Sequence, residues 1–268
     1  MKLPHPRRIL VIRTDKIGDM VLSTAALRAI RVAHPGARLV VLASPYNAPV
    51  IEGCPLVDAI ELLDHCWPVA RRMAVARALR RENFDLCLVF NPNQEAYLLA
   101  WLSGAPMRIG IVHERRLFDL AVAGALLSHP VLSHVEGAAV RGGRVPHEVE
   151  LTRRALERAG IPWAGDELEA PTTDETRMAA DGMLRRTWPG SAPPVGFHLS
   201  MKWLGQGWTV EHVGRLLSAM LDDCPDRRLL VTWVPCDAPA AAALLALPGL
   251  GFRPAAGCAD GLNAAVGS

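Results

Sequence analysis

A buried strand, a polar loop and an amphipathic helix open the chain, and this unit constrains the fold more than any other segment. Residues 9–12 are four consecutive apolar residues, enough for a strand buried on both faces. The polar segment 13–18 follows, and apolar residues then recur at helical spacing as far as Ile30. Asp19 lies where that helix should begin, near the positive end of its dipole. In α/β proteins such a loop lies at the carboxyl ends of the strands, where ligands bind.

The alternation of strands and helices continues along the chain and predicts a mainly parallel, doubly wound α/β sheet. The predicted strands after the first are 38–43, 58–63, 84–90 and 107–112, and the helices among them are 69–82, 95–102 and 147–159. Segment 117–145, rich in Ala, Gly and Val, gives no clear assignment.

The pattern restarts after an acidic, turn-rich segment at 163–173, which reads as a linker. Beyond it the predicted helices are 174–187, 210–221 and 238–247, and the predicted strands are 194–199 and 228–233. The restart predicts two domains, 1–165 and 174–268, with only two clear strands in the second sheet.

The composition of the chain limits the classes of function and partner that we expect. The 268 residues are 50% hydrophobic and carry a formal net charge of +2, which does not suggest nucleic acid as the main partner. Arginines cluster at 71–81 and 108–116, where they can bind anionic substrates or simply solvate helix faces. The six cysteines show no CxxC pair and no ligand-like spacing with histidine, so we expect no metal site and no disulfide framework. With neither a signal peptide nor a membrane-spanning segment in the sequence, we expect a cytoplasmic protein.

Nucleotide-binding and hydrolase motifs give no positive signal. The chain has no GxGxxG after its first strand, which argues against a nicotinamide dehydrogenase. It also lacks the P-loop motif and the GxSxG nucleophile elbow.

Four stretches nevertheless match one group of enzymes in the same order. They are 13–19 with Thr24 downstream, 104–110, the segment from His147 to Pro162, and 197–200 followed by Trp208 and a helix. Together they resemble the lipopolysaccharide heptosyltransferases, glycosyltransferase family nine. The resemblance covers nearly the whole chain.

The resemblance implies a GT-B fold, in which two Rossmann-like domains face each other across a cleft. It implies an inverting, metal-independent enzyme without a cofactor, which moves heptose from ADP-heptose to the inner core of lipopolysaccharide. Such an enzyme would work at the cytoplasmic face of the bacterial inner membrane, in peripheral contact with it. Asp19 takes the position of the general base, the group that accepts the proton of the attacking hydroxyl. The alternative is that Asp19 is a plain helix N-cap.

The remaining site residues divide between the two substrates. Predicted donor-binding residues are His198, Ser200, Lys202, Gln206, Trp233 and Asp237, and predicted acceptor-binding residues are Arg13, Lys16, Arg115 and Arg116. Structural roles stay open for three of the donor set: a hydrogen-bonded histidine at a strand end, a core tryptophan and a helix-capping aspartate. His147 and Glu148 are interpreted only as a helix start.

Two departures from the family pattern matter. Where relatives place a lysine just before the loop's Trp-Pro, this chain has Gln206 or Gly207, and Trp208 is followed by Thr209. The family's Asp-Thr-Gly…His motif is not reached by Ser268, so we expect a carboxyl-terminally truncated second domain. An incomplete sheet would expose an apolar edge that invites self-association. An inactive remnant that binds nucleotide or anionic glycan, and a heptosyltransferase acting on a protein, therefore remain alternatives.

Overall fold

A computed structural model describes residues 5–113, 117–135, 142–187, 195–223, 229–248, 253–254 and 263–267. The chain divides into two compact units, Met1–Thr172 and Thr173–Ser268, and each is described by itself.

The first unit is built on a six-stranded parallel sheet in the order β3-β2-β1-β4-β5-β6. Its strands are β1 Arg8–Arg13, β2 Arg38–Ala43, β3 Ala59–Leu62, β4 Leu86–Val89, β5 Met107–Val112 and β6 His129–Leu132. Because β1 lies in the middle of the sheet and both its faces are covered, its side chains form a continuous apolar run.

Helices cover both faces of this sheet. They are α1 Ile17–Ala33, α2 Val69–Arg81, α3 Gln94–Leu102, α4 Leu117–Leu126 and α5 Glu148–Ala159. One face packs Ile9 and Val11 against α1 and α5. The other packs Leu10 and Ile12 against α2, α3 and α4. The mainly parallel, doubly wound sheet predicted from the sequence is confirmed for this unit.

Part of the unassigned segment 117–145 turns out to be regular. It supplies α4 and the edge strand β6, which pairs with β5. The helix is apolar on nearly every side and β6 has only four residues, so neither shows the amphipathic period by which such elements are recognised.

The second unit contains a four-stranded sheet in the order β7-β8-β10-β9. Its strands are β7 Val195–His198, β8 Leu229–Trp233, β9 Arg253–Pro254 and β10 Asn263–Gly267, and its helices are α6 Asp174–Thr187, α7 Met201–Leu204, α8 Val210–Asp223 and α9 Ala238–Leu245. The expectation of two strands is wrong, because β10 joins the sheet antiparallel to β8 and carries β9 on its other side. Both added strands are short and poor in large apolar residues, so neither shows the hydrophobic pattern by which a strand is recognised.

Within the described part of the chain, no helix combines the length and the apolar character that crossing a bilayer requires.

Candidate active site

Polar residues gather at the carboxyl edge of the first sheet, where its parallel strands end together. The buried Asn47, from the loop after β2, donates from Nδ2 to the carbonyl oxygen of Arg13 at 3.0 Å. Asn91, which follows β4 and is also buried, donates from Nδ2 to Thr14 Oγ1 at 3.0 Å. The two amides fix the loop after β1 from both sides.

Arg13 is the centre of this edge, and its side chain is only 1% exposed. Its Nη1 donates to the carbonyl oxygen of Phe90 at 2.7 Å and to Glu148 Oε1 at 2.8 Å. Its Nε lies 2.9 Å from Asp15 Oδ1, a close ion pair that lacks hydrogen-bond alignment. Its Nη2 lies 3.5 Å from Asp19 Oδ1. One buried cation therefore faces three carboxylates drawn from the first loop, α1 and α5.

Asp19 is the third residue of α1, while Lys16 occupies the N-cap position. The alternative in which Asp19 is the N-cap is therefore wrong, because the helix begins two residues before it. The Asp19 side chain is 30% exposed, so its carboxylate contacts Arg13 and remains accessible to solvent. This is a placement from which a carboxylate can accept a proton from a bound hydroxyl.

The surroundings of Asp15 disfavour its charged form. Burial raises the pKa of Asp15 above its ordinary value; the charge of Arg13 acts against this shift, and the charges of Asp19 and Glu148 add to it. The Oδ1 atom of nearby Asn91 is buried and has no hydrogen-bond partner. The edge thus combines excess negative charge with an unsatisfied acceptor.

The other predicted acceptor residues are placed differently. Arg13 is buried among protein partners, so in this structure its guanidinium holds the carboxylates of the cluster. Lys16 is exposed at the start of α1, and among the described residues its side chain forms no ion pair. Arg115 and Arg116 lie outside the described residues.

Several of the predicted donor residues lie between the end of β7 and the start of α8, in a segment that contains the one-turn helix α7 and that we call the loop after β7. His198 Nδ1 lies 3.0 Å from Thr232 Oγ1 on the neighbouring strand, and Ser200 Oγ accepts from the backbone N–H of Lys202 at 3.3 Å. The Lys202 side chain is exposed. Gln206 lies further along, just before the left-handed Gly207, whose φ is +93°.

Gln206 lines an open pocket of about 570 Å³, and three of its lining residues, His212, Arg215 and Leu216, were not predicted from the sequence. The lining also includes Trp208, His212, Arg215 and Leu216. The backbone N–H of Thr209 donates to His212 Nδ1 at 3.2 Å, which leaves Nε2 as the ring's other polar atom. The spacing of His212 and Arg215, three residues apart on α8, was the available signal.

Aromatic rings run from β7 to α8 beside this pocket. Trp203 packs edge-on against Phe197 and against Trp208, with ring centroids 5.5 and 5.6 Å apart. Trp208 in turn meets the ring of His212 at 6.4 Å. These contacts give a loop with exposed polar side chains a fixed apolar support.

Trp233 and Asp237 lie at the end of β8 and the start of α9. Trp233 is half-buried against the core of the second unit. Asp237 is buried and occupies the N-cap position of α9, but its side chain makes no capping hydrogen bond; Cys236 Sγ lies 3.7 Å from its Oδ1.

One group of metal-ligand types occurs among the described residues. Atoms of Asp64, His65 and Cys66 lie within 4.8 Å of one another. Asp64 Oδ1 already accepts from the backbone N–H of Cys66 at 2.9 Å, so the group is accounted for as a side-chain-stabilised turn.

Comparisons with known proteins agree with the resemblance found in the sequence. A putative glycosyltransferase of Haemophilus influenzae is 28% identical over 102 residues, which cover 38% of this chain and 30% of that protein. Lipopolysaccharide heptosyltransferase 2 of Escherichia coli is 27% identical over 123 residues, covering 42% of this chain and 35% of the relative. The matches thus span about a third of the length of these curated relatives. No protein-family model matches the chain.

The fold is likewise similar to a solved glycosyltransferase. The crystal structure of a family 9 glycosyl transferase from Veillonella parvula superposes with a TM-score of 0.75 at 18% identity, covering 91% of this chain and 67% of that one. The resemblance to family nine heptosyltransferases and the GT-B fold class are therefore confirmed.

Proposed function

We propose that this chain is an inverting, metal-independent glycosyltransferase that moves heptose from ADP-heptose to the inner core of lipopolysaccharide. The observation that carries the proposal is the placement of Asp19, a partly exposed carboxylate held beside the buried guanidinium of Arg13 at the carboxyl edge of the first sheet. The similarity to heptosyltransferase 2 of E. coli supports the choice of transferred sugar and acceptor.

The reaction needs a base at that position. An acceptor hydroxyl oxygen attacks the anomeric carbon of the heptose, and the bond from that carbon to the diphosphate breaks as the new bond forms. Asp19 takes the hydroxyl proton, and ADP leaves with the electron pair of the broken bond. A single displacement of this kind inverts the anomeric centre. Arg13 holds the base in place, and Asp15 and Glu148 in turn hold the guanidinium of Arg13.

The leaving diphosphate needs positive partners, which this chain offers in its second unit. Lys202 is an exposed cation of the loop after β7, and Arg215 lines the same pocket as Gln206. Charge-assisted hydrogen bonds from such side chains stabilise phosphate oxygens without a bound ion. His198 and Ser200 complete the proposed donor loop, and Trp233 with Asp237 would meet the adenosine.

A second candidate is a binding protein without catalysis, which takes nucleotide or anionic glycan. The neutral residues Gln206 and Gly207 favour it, because the family resemblance implies a lysine at one of these positions, and neither residue can make a charge-assisted contact with a diphosphate. A third candidate keeps the reaction but heptosylates a protein.

Turnover separates these candidates. The purified chain is incubated with ADP-heptose and a heptose-deficient core acceptor, and ADP release and the mass of the acceptor are measured. We expect turnover that falls at least 100-fold in Asp19→Asn, as for removal of a general base. ADP binding, measured by calorimetry, should survive in that variant.

A matched control is Asp166→Asn, which changes an exposed carboxylate of the same unit. It should keep the turnover of the unmodified chain. Full turnover in Asp19→Asn would contradict the assigned base, and ADP binding without any turnover would favour the binding protein.

The proposed acceptor also suggests where the protein works and what it contacts there. A lipopolysaccharide core is carried by a lipid, so we propose that the protein works at the cytoplasmic face of the inner membrane, in peripheral contact with it. Self-association through the second sheet stays a prediction, for which β7 offers an edge whose Val195 is exposed.

A further inference from the structure

The outer face of α2, α3 and α4 exposes an apolar ridge. In this helical layer α3 packs against both α2 and α4. Leu98 and Trp101 project from the outer side of α3 and are 45% and 49% exposed. Phe118 on α4 is 69% exposed, and Ala121 and Ala125 follow it on the same side of that helix. We call these five residues the apolar ridge.

The composition of α4 makes the exposure unusual. Asp119 is the one charged residue in its ten-residue sequence. A helix that is apolar on nearly all sides is normally buried on all of them. The inner side of α4 packs on the sheet through Ala123, whereas its outer side lies open in the described part of the chain. Exposed apolar surface of this kind marks an interaction site.

A border of unpaired arginines runs beside the ridge on α2. Arg71, Arg77, Arg80 and Arg81 are all exposed, and none of them forms an ion pair with another described residue. Arg71 stacks on the ring of Trp67 at 3.4 Å from its centroid. The Arg80 guanidinium lies against Gly104, just beyond the end of α3, so the border reaches the Trp101 end of the ridge. We call these four residues the basic border.

The opposite helical layer of the same sheet has a different surface. There most of the arginines are paired, Arg28 with Glu167 and Glu169, Arg31 with Asp58, and Arg154 with Glu150, while the exposed Arg158 forms no ion pair with another described residue. The large apolar side chains exposed on α1 are Ile17 at its first residue and Val32 near its last, about four turns apart. Most arginines of the layer formed by α1 and α5 are thus paired, whereas on α2 only Arg72 has an ion-pair partner among the described residues, and apolar side chains are exposed beside it on α3.

We propose that the apolar ridge and the basic border dock the protein on the surface of a bilayer that contains anionic lipid. The ridge enters the boundary between headgroups and acyl chains, and the arginines bind lipid phosphates. Charge complementarity selects this occupant, because an anionic bilayer satisfies the apolar side chains and the four unpaired cations of α2 at once. The inference deepens the proposed function, since it names the surface by which the protein would reach a lipid-carried acceptor.

Vesicle binding tests the inference without any catalytic readout. Flotation is measured with vesicles of phosphatidylethanolamine and phosphatidylglycerol, and with vesicles of phosphatidylcholine alone. We expect binding to the anionic vesicles that weakens as salt is added, and at least tenfold weaker binding to the neutral ones. Because turnover is not measured, loss of catalysis and loss of docking are distinguishable.

Surface variants locate the contact. The double variant Arg77→Glu/Arg81→Glu should weaken vesicle binding at least 25-fold, since each arginine near an anionic surface contributes about fivefold. Phe118→Ser and Trp101→Ser should each weaken it several-fold at constant lipid charge. Matched controls on the opposite layer are Val32→Ser and Arg158→Glu, which should bind as the unmodified chain does. Circular dichroism verifies that each variant is folded.

Three results would overturn the proposal. They are equal binding to neutral and anionic vesicles, binding that survives the double arginine variant, and absence of binding by the folded, unmodified chain. Sedimentation of the chain alone adds a further arm: a dimer that Phe118→Ser dissociates would assign the ridge to a second copy of this chain instead.

Discussion

The two candidate sites of the chain are built in opposite ways. At the carboxyl edge of the first sheet, the guanidinium of Arg13 is buried and each of its three nitrogens contacts a protein oxygen. In the loop after β7, by contrast, the cation of Lys202 is exposed and Arg215 lines an open pocket; neither is ion-paired to another described residue. The fixed parts of that second site are its aromatic rings.

This difference separates what folding determines from what a ligand would determine. The first site is preorganised, because its charges are already oriented by buried contacts before any substrate arrives. The cations of the second site, Lys202 and Arg215, have no ion-pair partner among the described residues, and we expect them to gain one when an anion binds. We therefore expect substitutions in the first site to change stability, and substitutions in the second to change binding with little effect on stability.

The largest effect should follow from removing the buried cation. Arg13→Met leaves Asp15, Asp19 and Glu148 facing one another without a counter-charge. Breaking a buried ion-pair network by deleting one partner costs about 3 kcal/mol or more. We expect the free energy of unfolding of the first unit to fall by about that amount in urea denaturation.

Arg8→Met is the matched control at the other end of the same strand. Arg8 pairs with Glu82 at 3.2 Å, but its side chain is 46% exposed, so the loss should stay below about 1 kcal/mol. Equal losses in the two variants would show that burial does not set the cost of removing Arg13. The first site would then not be the more preorganised of the two.

A binding effect without a stability effect is expected at Gln206. Gln206→Lys places a cation in the pocket shared with Arg215. A hydrogen bond to a charged group contributes roughly 1.5–3 kcal/mol, so ADP should bind about tenfold more tightly at the lower end of that range. Calorimetry gives the dissociation constant, and a melting curve without ligand should stay unchanged.

Met178→Lys, on α6 of the same unit, serves as the control because it adds the same charge at an exposed position. It should leave ADP binding unchanged. Tighter binding in both variants would mean that net charge, rather than this loop, attracts the nucleotide.

The elements that were predicted correctly are those with a clear local pattern in the sequence. Strands β2 and β5 and helix α6 have the predicted bounds, because hydrophobic period and turn residues are local signals. The strand–loop–helix unit at Asp19 was recognised for the same reason. Elements without such a period, the apolar α4 and the short β9 and β10, could not be recognised.

The composition of the first site was only partly predictable. The predicted helix start at His147 and Glu148 is confirmed, because α5 begins at Glu148 with His147 as its N-cap. The view that Glu148 does nothing more is wrong, because its Oε1 accepts from Arg13 Nη1 at 2.8 Å. The two residues are 135 positions apart, and no local pattern encodes a contact at that separation. The positions of Asn47 and Asn91 could be predicted, because polar residues that follow buried parallel strands lie at the carboxyl edge of the sheet. Their hydrogen bonds to the first loop required the tertiary structure.

The smallest expected change in the free energy of unfolding is at Asp15. It tests whether the preorganised charges of the first site lower the stability of the fold. Burial raises the pKa of this carboxyl above its ordinary 3.8, although Arg13 opposes the shift. The folded state therefore disfavours the ionised form that prevails at neutral pH, and Asp15→Asn should raise the free energy of unfolding at pH 7. The amide keeps an oxygen that can face Arg13.

The pH dependence gives the sharper form of this test. Above the raised native pKa the folded protein bears the full cost of the charge, so the gain from Asp15→Asn is fully present there. As the pH falls through that pKa and below 3.8, the carboxyl becomes protonated in both folded and unfolded states, and the gain should vanish. Glu52→Gln, at an exposed carboxylate of the same unit, should show no such pH-dependent gain. If Asp15→Asn instead destabilises the protein at pH 7, attraction to Arg13 outweighs burial, and the cluster favours its full charge.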